Sequence, residues 1–215
     1  YNVSGTGGMT EVAADQRFNT QGNENSVFNG QPITVEDVMN SRLVADPLRM
    51  LECVMPCTGA AATIVTTAEK AKALRNPPVY LLGAGQHTWR AEHGVDWTRP
   101  ITTSPATVGA RRAFEMAGLA PKDMDMAQIY DCYTITVMIT LEDAGFIPKG
   151  EAGPWYESTD TTHQGSMPVN TGGGQLSCGQ SIAGTTQVVE ATRQLMGRAG
   201  VRQVPGDPEL CYVNT

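Results

Sequence analysis

Charge is scarce in this sequence: Asp, Glu, Lys and Arg make up 17% of its 215 residues, and acidic residues outnumber basic ones, leaving a net charge of -7. A chain without a basic face cannot recruit a phosphate backbone through counterion release, so nucleic acid is excluded as a natural partner. Long apolar runs are also missing. Nothing approaches the roughly 20 residues a membrane-spanning helix needs, and no charged, apolar and small-residue regions follow one another as in a signal peptide, so the expected partners include no membrane and the expected location is the cytoplasm. Histidine is rare, at three residues. His87, His93 and His163 are scattered and read as surface or satisfied side chains. The five cysteines, Cys53, Cys57, Cys132, Cys178 and Cys211, are odd in number and mostly set in apolar stretches. Reduced thiols suit them better than a disulfide framework, and with no second Cys/His pair at zinc spacing behind Cys53 and Cys57, no metal site is expected.

What is present is 40% hydrophobic residues, enough for one large domain or for one domain and part of another. A short helix is expected over 9–18, and Thr34 with Asp37 three residues on forms a capping-box start to a helical turn over 33–40. Residues 57–65 read as a small-residue turn leading into a β-rich run, and 67–74 as a capped helix. Val79 to Ala84 reads as a buried strand, followed by an excursion over 85–105 that holds Trp89 and Trp97. A helix over 105–118 should stop at Gly118, with Pro121 beyond it. Then come a strand over 126–130, a buried helix over 134–144 ended by Gly145, a polar loop over 150–165 that includes Trp155, a glycine turn at 172–174, a helix over 185–197 and a last strand over 209–213. Strand and helix alternate, which predicts an α/β layered domain with a mostly parallel sheet, helices on both faces, and sites at the strand ends. The chain begins with Tyr1 and stops in a strand-like run with nothing after it to close a sheet, which reads as a fragment.

Two segments look unlike ordinary core. Tyr130-Asp131-Cys132-Tyr133-Thr134 places five functional side chains at a strand-to-helix junction, where free helix N–H groups face a crevice. Asp131 capping the helix while both tyrosines pack is the plain alternative. The second, Asn170 to Gly184, interleaves Asn, Ser, Cys and Gln with glycines ahead of a helix. Gly172, Gly173 and Gly174 let a backbone approach a ligand or another strand, or simply make a tight turn. The spacing matches neither a Walker loop, which needs a Lys-Ser/Thr, nor a dinucleotide-binding loop.

Together these segments resemble the thiolase superfamily, in particular the sterol carrier protein x type thiolases and the lipid-transfer-protein-like retro-aldolases of steroid side-chain breakdown. Those proteins carry HDCF or YDCF at the strand end, where this chain has Tyr130-Asp131-Cys132-Tyr133. They carry a run ending in G-H-P farther on, where this chain has Asn170-Thr171-Gly172-Gly173-Gly174-Gln175-Leu176-Ser177-Cys178-Gly179-Gln180. The resemblance covers roughly residues 10 to 215. It implies a thiolase-like layered fold of two similar halves, here incomplete because the first half is missing: 1–76 would be the remnant of the N-terminal half with a substrate-covering loop region, and 77–215 the C-terminal half.

The resemblance also implies chemistry. The family's nucleophilic cysteine would lie before Tyr1, and Tyr130, Cys132 and Gln180 stand where the catalytic groups stand. Gln180 replaces a histidine, and an amide cannot take a proton near neutral pH, so a standard thiolase cycle is not expected. Tyr130 matches the first of the paired tyrosines with which the retro-aldolase branch moves the proton of a β-hydroxyacyl-CoA without a covalent acyl-enzyme, but Gln180 stands in place of the second, so the chain departs from both branches. Cys132 matches an acid/base thiol or an inert buried one. Asp131, Tyr133, Asn170, Gly173, Gly174 and Cys178 would shape the substrate pocket. The expected activity is that of a thiolase-like acyltransferase or an acyl-CoA retro-aldolase in lipid or steroid side-chain metabolism. The ligand is a coenzyme A thioester as substrate with no tightly bound cofactor, and the assembly is a dimer or larger, with an OB-fold, zinc-ribbon partner in the aldolase case. A catalytically inert thiolase-like subunit or acyl-CoA binding scaffold is the alternative, and the isolated chain is expected to be inactive.

Overall fold

A computed structural model describes residues 7–89, 100–181 and 184–215. Helix α1 (Gly7–Asn19) is followed by α2 (Val35–Asn40), a two-stranded antiparallel hairpin of β1 (Leu43–Ala45) and β2 (Leu48–Arg49), and the short helix α3 (Ala68–Lys72). Then come α4 (Ala106–Ala117), β3 (Met126–Gln128), α5 (Thr134–Asp143), α6 (Ala152–Ser158), α7 (Gly174–Cys178), α8 (Thr185–Leu195) and β4 (Cys211–Val213).

The local signals explain most of these ends. Thr34 caps α2: its Oγ1 accepts from the Asp37 N–H at 3.2 Å, and the Asp37 carboxylate accepts from the Thr34 N–H at 2.8 Å. The α4 helix stops at Gly118, whose φ of 69° places it in the left-handed region that glycine enters without steric cost.

At the centre, β3 pairs in parallel with β4, Ala127 opposite Tyr212. On its other edge β3 meets the segment around Val169 in a parallel bridge. Helices surround this small sheet. Ala127 and Ile129 from β3 and its extension share a core with Val137 and Leu141 of α5, Tyr156 of α6 and Tyr212 of β4. Met9 and Val12 of α1 belong to the same cluster, so the first helix is built into the body of the domain. Phe114 of α4 stacks on Tyr212 at 5.4 Å and joins the helix to the sheet.

Several expectations are corrected. Residues 79–84 form no strand, because their glycine-flanked backbone lies directly against α4. A Cβ on Gly83 or Gly85 would overlap the carbonyl oxygens of Ala113 or Gly109, and the Ala84 N–H is directed at the Met116 sulfur, 3.4 Å away. The β-rich run before α3 finds no neighbouring strand, and Ile64 and Val65 are 92% and 91% exposed. The supposed polar loop over 150–165 contains α6, whose Pro154 sits in the first turn, where a missing N–H costs no helix bond. Trp155 and Tyr156 of α6 turn toward the core. His163 is buried, stacks on Phe18 and shares the Asn19 side chain through its ring and its backbone N–H. His87 lies edge-on to Trp89 at 6.2 Å, while His93 and Trp97 lie outside the described residues. Among the described residues no helix is long and apolar enough to cross a membrane, and no group of three or more His, Cys, Asp or Glu is placed to hold a metal ion.

Candidate functional site

The parallel sheet brings the two unusual segments together at its C-terminal end. Tyr130 follows β3, with its N–H held by the Asn214 carbonyl at 3.1 Å. Gln180 follows α7, and its Nε2 donates to the Tyr130 hydroxyl at 3.1 Å, joining residues fifty positions apart. Burial, the neighbouring Cys132 thiol and the charge of Asp131 raise the Tyr130 pKa, while the Gln180 donor works against them by favouring the phenolate. The resting phenol therefore holds its proton at neutral pH.

The Cys132 thiol lies 3.5 Å from the Thr136 hydroxyl, one turn into α5. Tyr133, at the N-cap of α5, is 43% exposed and faces outward. Asp131, between the two candidate acid/base groups, is turned inward and wholly buried. Its Oδ1 accepts the Gln175 N–H at 2.9 Å and its Oδ2 the Leu176 N–H at 3.0 Å, so it caps α7, while the Gln187 side chain adds a third donor at 3.3 Å. These bonds favour the carboxylate, yet the loss of water outweighs them and pushes its pKa up to about 7. Asp131 has no solvent face, and its oxygens are taken by the protein.

Asn170 holds the other side of the strand end. At φ 51° it turns its Oδ1 onto the Ile129 N–H at 2.7 Å, and its carbonyl accepts from Gly173 at 2.8 Å. Gly173, at φ 94°, leaves no room for a Cβ beside Thr20, and a Cβ on Gly174, at φ 60°, would overlap the Asp131 carboxylate. Close approach between backbone and side chain, rather than a wide ligand loop, is what these glycines permit. Cys178 points elsewhere, toward Asn23 and the Asn25 carbonyl, and burial pushes its thiol up to about 11.

Two contributors carry no sequence motif. The strip 53–57 binds both halves of the site by backbone: the Val54 N–H donates to the Cys132 carbonyl at 3.0 Å, Gln180 N–H to Met55 at 2.9 Å, and Cys57 N–H to Gln180 at 2.9 Å. Gln187, one turn into α8, donates to Ile129 at 3.4 Å as well as to Asp131. A residue whose amide bridges a strand end and a carboxylate is recognisable only once the fold brings them together. A cavity of about 260 Å³ lies nearby, lined by Asn23, Asn25, Gln128, Gly172, Gly174, Cys178, Gln187 and Arg193 among others. Tyr130, Cys132 and Gln180 are not among its walls.

The chain is 43% identical over 178 residues to an acetyl-CoA acetyltransferase of Methanothermobacter thermautotrophicus, covering 81% of this chain and 46% of that protein. It is 36% identical over 202 residues to the 17-hydroxy-3-oxo-4-pregnene-20-carboxyl-CoA lyase of Mycobacterium tuberculosis, covering 90% of this chain and 52% of that one. Among solved structures it superposes on the Ltp2-ChsH2(DUF35) aldolase with a TM-score of 0.87 at 29% identity, covering 97% of this chain and 55% of that chain. The chain thus spans about half the length of the relatives it matches. A family model described as thiolase C-terminal domain-like matches residues 86–214, and the chain belongs to that thiolase family.

Proposed function

We propose that this chain forms the C-terminal part of an acyl-CoA enzyme that cleaves the carbon–carbon bond of a β-hydroxyacyl-CoA by a retro-aldol reaction. The observation that carries the proposal is the hydrogen bond from Gln180 to the Tyr130 hydroxyl. A phenol that rests protonated is an acid, and an amide donor on its oxygen stabilises the phenolate left when the proton departs.

In the proposed step the β-hydroxyl loses its proton to a solvent water and its C–O bond becomes a carbonyl. The bond between the α- and β-carbons breaks, and its electron pair passes to the α-carbon as the enolate of the acyl-CoA thioester. Tyr130 gives its proton to that carbon. The hydroxyl proton returns from that water to the phenolate, directly or by way of the Cys132 thiol, so no proton is consumed overall. Gln180 cannot serve as the base that makes a nucleophilic thiolate, which disfavours thiolysis through an acyl-enzyme. The similarity to a lyase and an aldolase supports the same choice. Coenzyme A enters as part of the substrate, with no tightly bound cofactor. The proposed assembly is a dimer or larger, joined by an OB-fold, zinc-ribbon protein, a choice supported by the two components in the name of the superposed aldolase.

The test uses the full-length parent with and without such a partner, assayed on a 3-hydroxyacyl-CoA and a 3-ketoacyl-CoA. Cleavage of the hydroxy substrate is expected. Thiolysis of the keto substrate alone would overturn the proposal, and activity on neither would make the protein an inert acyl-CoA binding subunit.

A further inference from the structure

The acid/base pair and Gln180 come from separate parts of the chain, and a hydrogen bond between them survives only if the two parts are fixed to within a few tenths of an ångström. The candidates for that task are few. Gln180 leaves α7 one residue after Gly179, whose N–H still bonds to the Gln175 carbonyl at 2.9 Å, so α7 holds Gln180 from one side while Met55 and Cys57 hold its backbone from the other. The position of α7 relative to the strand end is set by Asp131, the residue between Tyr130 and Cys132. Each carboxylate oxygen takes one of the first N–H groups of α7, and the side chain has no freedom to tilt, being buried and backed by Gln187. The missing Cβ of Gly174 is what lets the carboxylate reach those N–H groups.

We propose that Asp131 is a positioning residue: by gripping the start of α7 it holds the Gln180 amide on the Tyr130 hydroxyl. The inference takes Tyr130 and Gln180 as the working pair, as in the function proposed above. Asp131 touches neither the Gln180 side chain nor the phenol oxygen by hydrogen bond, so its influence runs through the backbone of α7. Its charge acts on Tyr130 as well, and in the opposite sense: the carboxylate disfavours the phenolate, while the amide it positions favours it. This opposition lets the two roles be told apart.

The experiment places 3-fluorotyrosine at position 130 of the full-length parent, which brings the phenol's ionisation into a range the fold tolerates, and follows it by fluorine NMR against pH. Gln180→Ala is introduced in the native background and again beside Asp131→Asn. In the native background, removing the amide should raise the phenol midpoint by about one pH unit, the worth of a hydrogen bond to a charged oxygen. Beside Asp131→Asn it should raise it by a small fraction of that, because the amide has already drifted away. The same shift in both backgrounds would overturn the proposal. Should Asp131→Asn not fold, Gln187→Met, which removes the backing donor alone, replaces it, with a reduced Gln180→Ala shift expected and an unreduced one contradicting. On the hydroxyacyl substrate, Asp131→Asn and Gln180→Ala should each lower kcat about tenfold at unchanged KM, and the double variant should be no slower than either. A parent that cleaves no hydroxyacyl-CoA sinks the reaction, and the fluorine titration still decides the role of Asp131.

Discussion

Gly174 and the Asp131 carboxylate lie so close that a single added carbon on the glycine would sit 2.0 Å from Oδ2, well inside contact distance. The neighbour that would have to yield is the cap of α7, itself held by three donors.

Gly174→Ala should therefore be among the most damaging small substitutions in the chain. It combines an overlap with a buried carboxylate and a side chain at φ 60°, each a recognised source of losses of about 1–3 kcal/mol. Urea denaturation should show a stability loss of about 3 kcal/mol or more. A loss below about 0.5 kcal/mol would mean that Asp131 and α7 are not packed as described.

The buried carboxyl also has a pH signature. Its pKa in the folded protein, about 7, lies above the ordinary 3.8, so between these values the folded state binds a proton that the unfolded state has released. Stability from this group is thus present at low pH and declines as pH rises from about 4 through 7, by at most about 1.4 kcal/mol per pH unit. Glu11, Asp15 and Glu52 are shifted in the same direction and add to the trend. Melting temperatures taken from pH 5 to pH 7.5 should fall more steeply for the native protein than for Asp131→Asn. A native protein that gains stability over this window relative to the variant would contradict the assignment.

Behind α8, Arg202 Nη1 meets Glu190 at 2.5 Å with both side chains largely buried, and Thr171 and Gln194 also donate to Glu190. Arg202→Met leaves a buried carboxylate with its cation gone, which should cost about 3–5 kcal/mol, whereas replacing both partners with apolar residues should cost less. Chemical denaturation of the single and double variants measures the difference. A double variant less stable than Arg202→Met would show that the two residues do not act as one unit.

How far the sequence alone reaches is visible in these same residues. The Thr34–Asp37 box and the Gly118 stop are local events within a single turn, and residue identity suffices to place them. The junction at Tyr130–Thr134 was legible because a buried strand and a buried helix flank it. The inward turn of Asp131 was not, since it depends on α7 arriving across the sheet, and α7 itself is a five-residue helix whose capping carboxylate comes from 44 positions before the N–H it accepts, out of reach of any local signal. Residues 79–84 failed in the opposite way. Their short apolar run is that of a strand, but strands exist only with a hydrogen-bonding neighbour, and here the neighbour is the flank of α4. The strip 53–57 carries no motif because it works through backbone groups, which every residue type carries equally.

The central claim is that Tyr130 delivers a proton to the α-carbon of an acyl-CoA enolate. The most direct measurement is exchange of the α-protons of the product acyl-CoA with deuterium oxide, followed by proton NMR in the full-length parent and in its Tyr130→Phe variant, which keeps the ring and loses the hydroxyl. The account predicts exchange by the native protein and a loss of about a hundredfold or more in the variant, in line with the usual worth of a general acid. Exchange by Tyr130→Phe at the native rate would contradict it.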